Sequence, residues 1–385
     1  MRLSRRLTAS AIVPALMAAA LTGCDSGGSG DKTDVVIGAD LTLGSAVDTA
    51  YSRALQLKVE QLNASGELGD KRLVLRVQDN HGDTTNSLRT ISTYADDPQV
   101  AAIVTGSCGA CAVDAARTVN NKKVPVIALA AGDDVSSPVA ERRYLFKLGT
   151  NPADSAATLV AELTRSKITK VALLYTDGLY GAGSDRAMQT NLAKAGITVT
   201  QSQTVRASAT DITQAVATLT ATKPAALIAV TSSDQSALAA TSAKAAGFTG
   251  KLYFDAGAAG DTFVPQQAIA AMNNATMVFT QILAIDDVIA TTPAKASRQQ
   301  WFRDYTSRYG SYSGVASFAA DAADLIASAV TRVGGDREKI RDILETSQTD
   351  GLAGAIRLTP DNHSGLMPQS LTLLVVRNGR WRIAS

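Results

Sequence analysis

From Asp34 onward this chain alternates short apolar runs with amphipathic stretches, and that alternation limits its folds more than any other feature. A short apolar run bounded by turn residues suits a buried strand. A longer stretch with apolar positions three and four apart suits a surface helix. Strands alternating with helices read as βαβ units around a mostly parallel sheet. The first unit has predicted strands over 35–39, 73–77, 100–104 and 124–129, with helices over 51–63, 87–94 and 112–120. A second unit repeats the pattern, with strands over 171–175, 197–200, 226–230 and 251–254 and helices over 184–195, 212–219 and 236–246. An alanine-rich helix over 316–330 and a strand over 371–376 complete the reading. The expected class is α/β, with two doubly wound lobes facing each other across a cleft.

The N-terminus reads as an export signal. Arg2, Arg5 and Arg6 give a positive start, and an apolar run over 11–21 follows, interrupted by Pro14. That run is short of the roughly 20 residues a spanning helix needs, so it suits a cleaved segment better than an anchor. Leu21-Thr22-Gly23-Cys24 forms a lipobox, in which the Cys24 thiol would carry a diacylglycerol. Two or three acyl chains hold a protein to a membrane durably, where one is marginal. An ordinary signal peptide with an incidental cysteine is the alternative. Residues 1–23 are therefore read as the signal and 24–33, rich in Gly and Ser, as a flexible tether. Cleavage removes three arginines and leaves 34 Lys and Arg against 35 Asp and Glu. A mature chain one charge below neutral disfavours nucleic acid or an anionic lipid face as partner. The lipid anchor is then its one expected contact with the membrane.

In open α/β sheets, ligands sit beyond the carboxyl ends of the strands, where helix N-termini present unpaired N–H groups. The informative loops are thus 39–45, 106–111, 130–134, 176–183, 231–234 and 255–257. Cys108 and Cys111, in Gly106-Ser107-Cys108-Gly109-Ala110-Cys111, can be a disulfide, two buried thiols, a redox pair or half a metal site. The only histidines, His81 and His363, stand beside no Gly-x-Ser-x-Gly elbow, so catalysis is not supported. Asp79, His81 and Asp83 read as a polar turn ahead of a metal site. Gly178, Gly181 and Gly183 lack the spacing of a phosphate-cradling loop. No cofactor or metal is expected. Trp301 and Trp381 read as packing residues.

Beyond these features the chain resembles the periplasmic-binding-protein family that serves importers of branched-chain amino acids and related solutes. The resemblance runs from Asp34 to the end. It rests on Tyr175-Thr176-Asp177-Gly178-Leu179-Tyr180-Gly181-Ala182-Gly183, Asp79-Asn80-His81-Gly82-Asp83, Val124-Pro125-Val126-Ile127, Asp211-Ile212 and Lys223-Pro224-Ala225-Ala226-Leu227-Ile228, in that family's order and spacing. It implies the type I fold, two lobes joined by three hinge strands. The first lobe would comprise 34–149 and 277–352, and the second 150–276 and 353–385.

The resemblance also implies a ligand site shared between the lobes. Where amino-acid-binding members offer a serine hydroxyl, this chain has Gly109 and Ala110, with Ser107 nearby. Where they offer a threonine, it has Ala130-Ala131-Gly132-Asp133. Tyr180 matches a family aromatic, and Ser233 lies in a stretch often aromatic. Asp255 is the nearest candidate for the acidic partner of a ligand ammonium, although simple register puts Ala256 there. Asp255 can equally cap a turn. Asp133 is expected to cap a helix start, and Asp133 and Asp134 would repel a carboxylate. Ser45 completes the candidate set from the first strand's loop. The implied function is capture of a small polar solute, an amino acid or amide-like compound, for an ABC permease. The alternatives are a sensor that reports to a membrane receptor and, from another class, an extracytoplasmic enzyme.

Overall fold

In the computed structural model, which describes residues 32–384, the first apolar run is the strand β1 (Thr33–Leu41), buried from Val35 to its end. The expected signal over 1–23, Cys24 and the tether up to residue 31 lie outside the described residues. The chain continues through α1 (Ala46–Ser65), β2 (Lys71–Asp79), α2 (Thr84–Asp96), β3 (Val100–Thr105), α3 (Gly109–Lys122), β4 (Val126–Ala128) and β5 (Leu145–Lys147). These strands form one parallel sheet in the order β2-β1-β3-β4-β5. Helices cover both of its faces, which is why β3 is buried along its whole length and carries no polar alternation.

The second lobe opens with α4 (Pro152–Arg165) and β6 (Lys170–Thr176). It goes on through α5 (Gly178–Lys194), β7 (Thr198–Val205), α6 (Thr213–Ala221), β8 (Ala226–Val230), α7 (Ser233–Ala245), β9 (Lys251–Phe254), the short α8 (Ile269–Met272) and β10 (Thr276–Thr280). The chain then returns to the first lobe as α9 (Pro293–Tyr309), α10 (Ala316–Val333) and α11 (Arg337–Leu344). There Gln61 of α1 donates to Asp304, and the Arg337 guanidinium donates to the carbonyls of Ala95 and Val100. The alanines of α10 let it pack closely on α1, and Ala316, Ala319, Ala320, Ala322 and Ala323 are wholly buried. A hairpin of β11 (Gln348–Asp350) and β12 (Ala355–Arg357) follows. Strands β13 (Leu371–Arg377) and β14 (Arg380–Ile383) then extend the second sheet to the order β14-β13-β10-β9-β8-β6-β7. That sheet is parallel from β7 to β10 and antiparallel at β13 and β14.

Two expected lobe boundaries move. The return to the first lobe was placed at residue 277, but β10 pairs with β9 and β13, so 277–280 belong to the second sheet and the crossing follows them. The last return was placed at residue 353. Instead, Ser364 bridges to Lys147 of β5 and His363 stacks on Phe146, so the chain stays beside the first lobe until close to β13. Strand β10 is a short apolar run like any other, and only its hydrogen-bond partners show which sheet it completes. Trp301 and Trp381 are core residues, 3% and 2% exposed. Among the described residues no helix is long and apolar enough to cross a membrane.

Candidate functional site

The strand orders fix where a ligand can enter. The strand order reverses between the parallel neighbours β1 and β3 in the first sheet and between β6 and β8 in the second, and such a switch point opens a crevice at the carboxyl ends. Ser45 follows β1, and Ser107, Gly109 and Ala110 follow β3. Tyr180 follows β6, and Ser233 follows β8. These candidates therefore flank the two crevices.

In the first lobe a buried carboxylate shapes the crevice. Asp48, in the first turn of α1, accepts the backbone N–H of Thr42 at 2.7 Å and of Ser107 at 2.9 Å, which ties the β1 loop to the β3 loop. Burial raises its pKa, while those two N–H groups oppose the shift. Gly106 must lack a side chain here, because a Cβ would lie 2.1 Å from Asp48 Oδ2. Sequence reasoning passed over Asp48; its only signal was an acidic residue in a helix's first turn. Cys108 and Cys111 are bonded to each other across the first turn of α3, around Gly109 and Ala110. Gly109 and Gly132 both lie 3.6 Å, at their Cβ positions, from the Val135 side chain, so the β3 and β4 loops are packed together.

Asp133 differs from expectation. Gly132 occupies the cap position, and Asp133 is the first residue of a 3-10 turn over Asp133–Val135 with no side-chain cap bond. Burial raises the pKa of its carboxyl, and the charge of Lys147 opposes that shift. Asp134 faces the other lobe, where Arg186 of α5 approaches it at 3.8 Å. Asp79 accepts the N–H groups of Leu43 and His81, and Asp83 caps α2 through Asn86. These carboxylates are used within a turn, in line with the polar-turn reading.

In the second lobe the Tyr180 hydroxyl donates to Asp255, which also accepts the Gly257 N–H at 3.1 Å. Asp255 is 2% exposed, and burial pushes its pKa up to about 7. It is both the cap of the Ala256–Ala258 turn and the partner of Tyr180, so the two readings of this residue are compatible. Tyr180 is held by the glycine after it. A Cβ on Gly181 would lie 1.7 Å from the Thr176 carbonyl oxygen, so only glycine lets α5 start this close to β6. Ser45 and Ser233 line one cavity of about 800 Å³ between the lobes, together with Arg53, Ser232, Gly260 and Asp261. Arg53 and Asp261 were not anticipated, since neither immediately follows a strand. The cavity lies within the size range of small-molecule sites.

Residues 36–380 match the family model for periplasmic binding proteins, and the chain belongs to that family. Its members bind solutes outside the cytoplasm and are not enzymes. Solved structures agree on the fold. An extracellular ligand-binding receptor from Rhodopseudomonas palustris HaA2 aligns with a TM-score of 0.81 at 19% identity, over 92% of this chain and 100% of its own. A leucine binding protein from Thermotoga maritima MSB8 aligns at 0.75 and 19%, over 91% and 98%. An ABC transporter substrate-binding protein from Desulfitobacterium hafniense, solved in complex with Leu, aligns at 0.73 and 16%, over 91% and 100%. No curated protein matches the sequence.

Proposed function

We propose that this protein is a lipid-anchored solute receptor that captures a small polar molecule, an amino acid or amide-like compound, and delivers it to an ABC permease. The observation that carries the reading is the Asp255–Tyr180 pair at the carboxyl edge of the second sheet, a buried acid beside an aromatic ring. Support comes from the two leucine-associated structures that share the fold, and from the lipobox at Cys24 followed by a glycine-rich tether. The first lobe contributes backbone N–H groups of Gly109, Ala110, Ala131 and Gly132 in place of hydroxyls.

Thermal denaturation against a panel of amino acids, amides and ureas tests capture. A true ligand at a hundred times its dissociation constant adds about 2.7 kcal/mol, a clear rise in melting temperature. If nothing in the panel raises it, capture of this solute class is wrong.

The Asp255 carboxyl gives a second check. Only its ionised form attracts an ammonium, and without ligand it takes up a proton near pH 7. Affinity is therefore expected to weaken up to about tenfold per pH unit below 7, with protons released on binding. Titration calorimetry from pH 5.5 to 8 in two buffers of different ionisation heat measures both quantities. An affinity independent of pH, with no proton release, would remove Asp255 from the site. Asp255→Asn keeps an acceptor for Tyr180 and is expected to weaken binding by roughly 2 kcal/mol or more, as a lost charge partner does.

A further inference from the structure

Lys147 ends β5, where the chain leaves the first lobe, and its side chain is 0% exposed. Its ammonium donates to the carbonyls of Gly149 at 3.3 Å and Thr150 at 3.4 Å and to Asn151 Oδ1. All three partners are uncharged. The carboxyls of Asp133, from the first lobe, and Asp154, from α4, act on it at longer range, and burial pulls its pKa down to about 8. Burying a cation without a paired anion costs several kcal/mol, so packing alone does not account for a lysine here.

Asn151 shows where that energy is used. It stands at the N-cap position of α4, where an asparagine ordinarily accepts a first-turn N–H, yet it makes no capping bond. Its Oδ1 instead receives the Lys147 ammonium and the Ser364 hydroxyl at 2.6 Å, and its Nδ2 donates to Asp154 at 2.8 Å. Ser364 stands beside β5 in the segment that leads into the last crossing between the lobes. The backbone there pairs with Lys147 on both sides, through Lys147 N–H to His363 and Gly365 N–H to Lys147, each 2.8 Å. One ammonium thus meets the first crossing, the start of the second lobe's first helix and, through Asn151, the segment that leads into the last crossing.

We propose that Lys147 is a positioning residue for cleft closure: through Asn151 it ties the first crossing and the segment that leads into the last to the N-terminus of α4 and so holds the angle between the lobes. Hinge rotation is absorbed by a few residues at the ends of elements. Rotation at 148–151 would pull acceptors away from a buried cation, so the tie resists it. The proposal rests on the reading that the lobes close over a solute. Its test needs no solute, so failure to find a ligand leaves it standing.

Nitroxides on Asn121→Cys of α3 and Thr190→Cys of α5, both exposed positions, report the distance between the lobes by pulsed electron resonance in the full mature chain. The protein otherwise unchanged is expected to show one narrow distribution. Lys147→Met and Asn151→Ala are each expected roughly to double its width, and the double variant to be no broader than either, because both cut the same tie. Should Lys147→Met fail to fold, Asn151→Ala decides alone, since α4 loses no capping bond with it. Unchanged widths in a folded variant, or widths that add in the double variant, would overturn the proposal.

Discussion

Alanine at position 181 is expected to destabilise the protein by about 3 kcal/mol and to dislodge Tyr180 from Asp255. The added Cβ would sit 1.7 Å from the Thr176 carbonyl oxygen. That oxygen is backbone, held in the turn from β6 to α5, and cannot swing aside as a side-chain end would. Overpacking usually costs about 1–3 kcal/mol, and a contact this short against fixed backbone belongs at the upper end or beyond. Relief comes only by moving the start of α5, which carries Tyr180 with it. Urea unfolding measures the loss of stability, and the ultraviolet absorbance of Tyr180, against a Tyr180→Phe control, follows its hydrogen bond. A variant that melts like the parent with an unaltered tyrosine signal would show that the turn has slack absent from this structure. The same geometry explains why Tyr180 and Gly181 occur together: the glycine sets the approach that aims the tyrosine.

Removal of the Asp321 carboxyl is expected to be more damaging in acid than in alkali. Asp321 lies in α10, is 2% exposed, and accepts the N–H groups of Leu352 at 2.6 Å and Ala353 at 2.8 Å. It clamps the turn between β11 and β12. Asp321→Ala leaves two buried donors unpaired, at about 1–3 kcal/mol each. Burial pushes this carboxyl up to about pH 7 in the folded chain, against about 3.9 when unfolded. With the folded value raised, the native state binds the extra proton. The contribution is complete below about pH 4 and is lost as the pH climbs through 7, a difference of several kcal/mol across the window. The cost of Asp321→Ala should accordingly shrink between pH 5 and pH 8. Calorimetric unfolding of parent and variant at both values gives it directly. A cost that stays level or grows with pH contradicts the assignment of a raised pKa.

Much of the architecture was legible in the residues. Runs such as 100–104 and 226–230 are apolar throughout because helices cover both faces of a parallel sheet, and each became a strand at its expected place. Elements whose stability comes from neighbours escaped notice. Strand β5 ends in a lysine and is only Leu145–Lys147 long, and α9 is mostly polar, with Trp301, Tyr305 and Arg298 as its buried contacts. Helix α4, with Pro152 at its start and a clear apolar face, carried a signal that was overlooked.

The candidate site divides along the same line. Residues read as following strands do lie at the carboxyl ends, since strand and helix periodicity alone assigns those positions. Periodicity could not reveal that Asp255 meets Tyr180 across 75 positions of chain, nor that Asp48 joins two loops. It could not show that Asp133 forgoes a cap. Each of these depends on which strands are neighbours and how far apart the loops finish.

By itself the sequence determined that the chain folds as two doubly wound α/β lobes and which loops follow the strands, because local periodicity and backbone hydrogen bonding leave few other ways to bury those runs. Only the tertiary structure decided where the chain crosses between lobes, which sheet 276–280 completes, and that a wholly buried Lys147 stands at the first crossing. Those outcomes rest on contacts between residues far apart in the chain. No local pattern encodes the acceptors that make a buried charge tolerable.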